Sequence, residues 1–169
     1  LGTGRLYLFD HFGSTSIENI VNRVRYLAKG MSCKYVFLDH LSIIISSQES
    51  GDERKALDEV MTKLRMLVQE TNIALILVSH LKRPSDKGHE EGAATSLAQL
   101  RGSASIAQLS DMVLGLERNG QAEDPIERNT THVRVLKNRY AGITGPACHL
   151  LYNKETGRMF QTEVEQDVL

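Results

Sequence analysis

Three short segments carry the side chains best suited to chemistry. In the first, Tyr35-Val36-Phe37-Leu38 is an apolar run that ends in Asp39. A strand that delivers a carboxylate at its C-terminal edge can hold a hydrated Mg²⁺ on a nucleotide, because open α/β sheets bind ligands beyond the carboxyl ends of their strands. A carboxylate there also serves simply to cap the following turn. In the second segment, the apolar run 74–78 ends in Ser79-His80. This polar pair is able to hydrogen-bond a terminal phosphate and to register its loss. A lone histidine is as readily structural; the functional reading gains weight because Asp39 and His80 end successive strands. In the third, Lys137-Asn138-Arg139-Tyr140 closes another strand pattern. Cations two residues apart on a strand share a side. In a monomer they are surface charge, whereas in a ring they can reach a neighbour's triphosphate as an arginine finger.

Two further stretches have the composition to meet a polyanion. Residues 82–95 follow His80 directly, are polar, and carry Pro84, Gly88 and Gly92. Lys82, Arg83 and Lys87 suit nucleic-acid phosphates, although Asp86, Glu90 and Glu91 balance them formally and leave a solvated loop as the plain alternative. A loop that leads away from a phosphate sensor is where a motor would couple hydrolysis to strand movement. In Leu100-Arg101-Gly102-Ser103-Ala104, glycine and serine permit close backbone approach, and Arg101 is available to an anion. The same residues would serve equally as a helix start.

The elements that must position these groups are written in the apolar pattern. Residues 6–9 read as a strand ending near Asp10. Thr15-Ser16-Ile17-Glu18 reads as a capping box, with Thr15 and Glu18 closing the first turn of a helix. Ile17, Ile20, Val21, Val24 and Leu27 continue it at helical spacing, and Gly30 is a natural stop. After the strand 35–38 and a linker around 46–51, Leu57, Val60, Met61, Leu64, Leu67 and Val68 form one face of a second helix. Strands at 74–78 and 112–116 follow, the latter reached through a short helical stretch around 103–109. Strands and helices alternating at this spacing predict βαβ units and a parallel sheet. Beyond residue 130 the strand patterns 131–136, 148–152 and 158–160 lie too close for crossover helices. They are expected to be antiparallel, with Asn153-Lys154-Glu155-Thr156-Gly157 as a hairpin loop. Residues 119–130 read as a second polar loop, and residues 163–169 as a frayed tail.

The composition bounds what such a chain can be. Its 169 residues carry 20 Lys+Arg against 21 Asp+Glu and are 41% hydrophobic. That is one domain's material with a nearly neutral balance, which excludes a globally basic DNA binder but not a local basic site. Cys33 and Cys148 are far apart and in no metal-binding spacing, so a reducing intracellular compartment is expected rather than a disulfide scaffold. No run is long enough for a membrane span, and the first residues do not resemble a signal peptide. No internal repeat or low-complexity tract appears.

Taken in order, the motifs resemble one family. Residues 35–40 with Leu41-Ser42-Ile43-Ile44, then Asp52-Glu53-Arg54-Lys55, then Ser79-His80-Leu81-Lys82 look like the DnaB-like hexameric replicative DNA helicases. The best match is to the helicase half of podovirus-type phage primase–helicases. His89-Glu90-Glu91-Gly92, Leu100-Arg101-Gly102-Ser103, Gln108-Leu109-Ser110-Asp111, Leu116-Glu117-Arg118-Asn119 and Tyr152-Asn153-Lys154-Glu155-Thr156-Gly157 continue that family's order, so the resemblance runs from about residue 8 to 157.

The resemblance implies an α/β fold: part of a RecA-like P-loop ATPase core over residues 1–162, with a mostly parallel sheet flanked by helices and antiparallel C-terminal strands. It implies Asp39 as the Walker B carboxylate that supports Mg²⁺, His80 as the γ-phosphate sensor, and Arg139 as an arginine finger with Lys137 beside it. Tyr152 would pack against the nucleotide base. Lys82, Arg83 and Lys87 would lie on a central-channel loop, with Arg101, Gly102 and Ser103 in a second DNA-facing segment. ATP or dTTP with Mg²⁺ is the implied cofactor. The implied partners are single-stranded DNA, five further copies in a hexamer, and a primase or other replisome protein, in the cytoplasm of a bacterium or phage-infected host. Unwinding polarity would be 5′ to 3′.

One family element is missing from the sequence: it holds no G-x-x-x-x-G-K-[ST] loop. With Leu rather than Met at position 1, the expectation is that this loop and the water-activating glutamate lie upstream in a longer parent. The segment alone would then bind Mg-ATP weakly and hydrolyse it negligibly, and it would expose a strand edge prone to self-association. Two rival readings remain: a recombination- or clock-type ATPase of the RecA and KaiC kind, or a non-catalytic module that has lost its phosphate loop.

Overall fold

The computed structural model describes residues 4–9, 15–45, 52–82, 88–100 and 104–162. The chain divides into two compact units, Leu1–Val78 and Ser79–Leu169.

In the first unit the order is α1 (Ile17–Gly30), β1 (Tyr35–Leu38), α2 (Leu41–Ile45), α3 (Glu53–Thr71) and β2 (Ala74–Leu77). Helix α1 starts where a side chain satisfies a free amide: Ser16 Oγ accepts from Asn19 N, so Ser16 is the cap instead of the expected Thr15. Asp52 caps α3 by accepting from Arg54 N and Lys55 N, and Asn72 ends it in the left-handed conformation. The apolar face read from the sequence is the core. Leu57, Val60, Met61, Leu64 and Leu67 of α3 are buried with Ile17 and Val24 of α1 and Leu41 and Ile44 of α2. Each such side chain contributes roughly 1.5–3 kcal/mol.

Outside the core, Arg25 and Lys29 of α1 hold Glu70 of α3, and Lys63 of α3 holds Glu18 of α1. Arg25–Glu70 and Glu18–Lys63 have the same sequence offset, so the two helices run parallel, as successive α-then-β units require. Residues 6–9, expected to be a strand, are irregular, with Phe9 lying under the Arg23 guanidinium. Strands β1 and β2 pair in parallel, Tyr35 with Ala74 through Leu38 with Leu77.

The second unit is built on an antiparallel sheet in the order β3 (Met112–Glu117), β4 (Thr130–Asn138), β5 (Gly145–Asn153) and β6 (Arg158–Thr162). The antiparallel C-terminal strands are as expected, and Met112–Glu117 joins them rather than the parallel pair. Among the described residues this unit also carries the α-helices α4 (Ala104–Leu109) and α5 (Pro125–Asn129) and a short 3-10 turn at Leu97–Gln99. Helix α5 lies inside the stretch expected to be loop, capped by Asp124, which accepts from Ile126 N and Glu127 N. The β5–β6 hairpin closes on Asn153 Oδ1, which accepts from Glu155 N and Thr156 N, with Gly157 at φ 66°.

Candidate functional site

The register of the parallel pair decides where the first candidate groups go. Leu38 and Leu77 are partners, so β1 and β2 end at the same edge. Val78 N donates to Leu38 O, and Leu41 N donates to Val78 O, each at 3.0 Å. The Asp39–His40 dipeptide, joined by a cis peptide bond, is therefore bracketed by both polar groups of one residue of the neighbouring chain segment. Asp39 is exposed at that edge. From the same edge the chain continues through Val78 to Ser79 and His80. His80 is exposed, and its carbonyl accepts from Ser79 Oγ at 3.5 Å.

A carboxylate beyond the carboxyl end of β1 has the chemistry to support Mg²⁺ on a nucleotide, and a polar pair following β2 has the chemistry to meet a terminal phosphate.

The second group of candidates lies in the second unit, around the C-terminal end of α4. Lys137 Nζ donates to Ala107 O at 2.5 Å, to Ser110 O at 2.8 Å and to Gln108 O at 3.3 Å. Arg139 Nη2 donates to Gln108 O at 2.7 Å, and its Nη1 to Asp111 Oδ1 at 3.0 Å. Its backbone N donates to Asp111 O at 2.9 Å. The two cations thus converge on carbonyls at a helix C-terminus, where the helix dipole and unpaired carbonyls favour positive charge. Lys137 is drawn inward by these bonds, whereas the Arg139 side chain remains 45% exposed.

Lys82 begins the connection that returns at Leu100. Its N donates to Gln99 O, its carbonyl faces His89 Nε2, and Leu81 bridges Leu100. Arg83, Lys87, Arg101, Gly102 and Ser103 lie outside the described residues. Tyr152 is half-buried on β5, paired with Met159 of β6.

One cluster carries no role in the sequence reading. Glu117, at the end of β3, is buried and accepts from Thr95 N at 2.7 Å, from Thr95 Oγ1 at 2.8 Å and from Arg134 Nε at 2.8 Å. Burial pushes its pKa up, but the bonds from Arg134 and Thr95 outweigh it and keep the carboxyl below its ordinary value. It anchors the segment that follows residues 83–87. The available signal was a charge closing the apolar run Met112–Leu116. Asp111, the partner of Arg139, stood in a quoted motif without an assigned task.

The family model for the DnaB-like helicase C-terminal domain matches residues 3–161. The DNA helicase/primase of Enterobacteria phage T3 is 41% identical over 157 residues, covering 92% of this chain and 27% of that protein. A probable plasmid replicative DNA helicase of Chlamydia psittaci is 27% identical over 146 residues, covering 86% of this chain and 31% of that protein. The chain therefore spans about a third or less of the length of these relatives. Among solved structures, that of a DnaB-like replicative helicase superposes with a TM-score of 0.73 at 22% identity, over 92% of this chain and 36% of that one. A KaiC-like protein of Pyrococcus horikoshii superposes with a TM-score of 0.59 at 16% identity, over 87% of this chain and 57% of that one. These two likenesses bear on the fold alone.

Proposed function

Because this chain belongs to the DnaB-like helicase C-terminal domain family, we propose that it forms the C-terminal part of the motor domain of a ring-shaped replicative helicase, driven along single-stranded DNA by ATP or dTTP. The observation that carries this reading is the parallel β1–β2 pair, whose common edge is followed by Asp39 on one strand and by Ser79-His80 on the other. Bound Mg²⁺ would neutralise charge that develops on the phosphate oxygens during transfer.

The chain's own residues do the rest. Asp39 would hold the ion, and His80 would hydrogen-bond the terminal phosphate. Arg139 is presented across a subunit boundary to a neighbour's nucleotide, with Lys137 seated beside it and Tyr152 against the base. Lys82, Arg83 and Lys87 contact DNA phosphates after His80, so loss of the phosphate contact is passed directly into the DNA-facing loop. Arg101, Gly102 and Ser103 form a second contact of the same kind. The phosphate-cradling loop comes from a preceding part of a longer chain, and a primase or another replisome protein is the expected partner.

The test uses the full-length, ring-forming protein that carries this segment. Arg139→Ala is expected to lower kcat for nucleotide hydrolysis by about 10³ or more. The double variant Lys82→Ala, Lys87→Ala is expected to remove the stimulation by single-stranded DNA. Full DNA stimulation in that double variant would end the helicase reading and favour a KaiC-like one.

A further inference from the structure

We infer that Asp111 is a positioning residue for Arg139: it holds the guanidinium in the orientation from which the next subunit's triphosphate is reached. This rests on the proposed role of Arg139. Three bonds tie Arg139 to one short stretch of chain: its backbone N to Asp111 O, Nη1 to Asp111 Oδ1 and Nη2 to Gln108 O. The two side-chain bonds engage two of a guanidinium's five N–H donors. The head stays nearly half exposed, while the Asp111 carboxylate that grips it is 26% exposed. A long flexible side chain is thus oriented at its root and on one flank, with its outer flank open.

The platform is itself secured. Lys137 Nζ binds the carbonyls of Ala107, Gln108 and Ser110, so the end of α4 cannot move without disturbing β4. Gln108 O accepts from both Lys137 and Arg139. An arginine that acts on a transition state in a neighbouring protomer gains rate from being held beforehand, because rotamer freedom frozen in advance is not lost at the reacting moment. Asp111 acts only through Arg139 and touches no substrate.

The experiment is a double-mutant cycle in the full-length, ring-forming protein, with kcat and KM for ATP measured separately in the presence of single-stranded DNA. Melting temperatures are recorded to confirm folding. Asp111→Asn, close in shape, is the primary variant, and Asp111→Ala the second. In the otherwise native protein kcat falls by roughly three- to thirtyfold, the range set by the rotamer freedom an arginine regains. KM changes by less than about twofold. In the Arg139→Ala background, Asp111→Asn causes no further loss of kcat.

A native kcat in Asp111→Asn, with Arg139→Ala impaired, overturns this proposal alone. An equal loss in both backgrounds also overturns it, because Asp111 would then act on the fold at large. A native kcat in Arg139→Ala removes the finger reading, and this inference with it.

Discussion

Gly115→Ala tests how firmly the segment ending at Thr95 is seated on β3. A Cβ at position 115 would lie 1.9 Å from Thr95 Oγ1, 2.9 Å from Thr95 Cβ and 3.3 Å from Leu136 Cδ1. Thr95 cannot simply turn aside: it is 6% exposed, and both its hydroxyl and its amide donate to Glu117 Oε1. The added methyl therefore breaks the hydroxyl–carboxylate bond, at about 1.5–3 kcal/mol for a bond to a charged group. Crowding adds about 1–3 kcal/mol, and the reduced freedom of the unfolded chain returns about 0.5–1 kcal/mol. The net expectation is a loss of about 3 kcal/mol and a Tm lower by about 10 °C.

Thr95→Ala alone should cost about 2 kcal/mol, since it removes the same hydroxyl bond. The double variant breaks that bond only once, so its loss should fall short of the sum by about 2 kcal/mol. Urea unfolding followed by far-ultraviolet circular dichroism measures all four corners of the cycle. Additivity within about 0.5 kcal/mol, or a Gly115→Ala cost below about 1 kcal/mol, would refute the reasoning.

Two further predictions concern protons. Hydrogen bonds from Arg25, and then from Lys29, pull the Glu70 pKa down to about 2. The bridge between α1 and α3 should therefore contribute above the unfolded value of 4.5 and fade as pH falls towards 2. A carboxyl ¹³C titration should show that midpoint, and Arg25→Met should move it back up; an unmoved midpoint in the variant would refute the assignment. His132 on β4 is register partner to His149 on β5, their rings 4.6 Å apart and perpendicular. Burial first, and then the neighbouring His149, lower the His132 pKa below 6.5. Below that value the unfolded chain takes up the proton first, so the antiparallel sheet should lose stability as pH falls from 6.5 through the folded value. An imidazole NMR titration with an ordinary midpoint would contradict this.

The parts of the fold legible in the sequence were those set by local periodicity. The apolar stripe of α3 became the core because residues three and four apart share a helix face, whatever lies opposite. The chain's return after residue 130 as antiparallel strands followed from connections too short for a crossover helix. What escaped depended on partners distant in sequence. Residues 6–9 have a strand's composition, yet a strand exists only if a neighbour pairs with it, and composition is silent on that. Helix α5 was hidden in a polar stretch, although Asp124-Pro125 is a helix-start signature.

The same division holds at the candidate site. Asp39 and His80 announce themselves by ending apolar runs. The attachment of Lys137 and Arg139 to α4 crosses 27–31 residues of chain, and Thr95 meets Glu117 across 22. No local pattern encodes such pairings.

The bracket around Asp39 has a consequence for which substitutions this strand edge can absorb. The carboxylate's place is held by main-chain groups, the N–H and the carbonyl of Val78, rather than by any particular side chain. Aliphatic exchanges at positions 36, 38 and 78 can therefore accumulate while the acid stays where it is. A proline at 78, which lacks the N–H, would release one arm of the staple and let the acid drift from the edge it shares with the neighbouring strand. Such a site tolerates a wide vocabulary of side chains and almost no change of backbone.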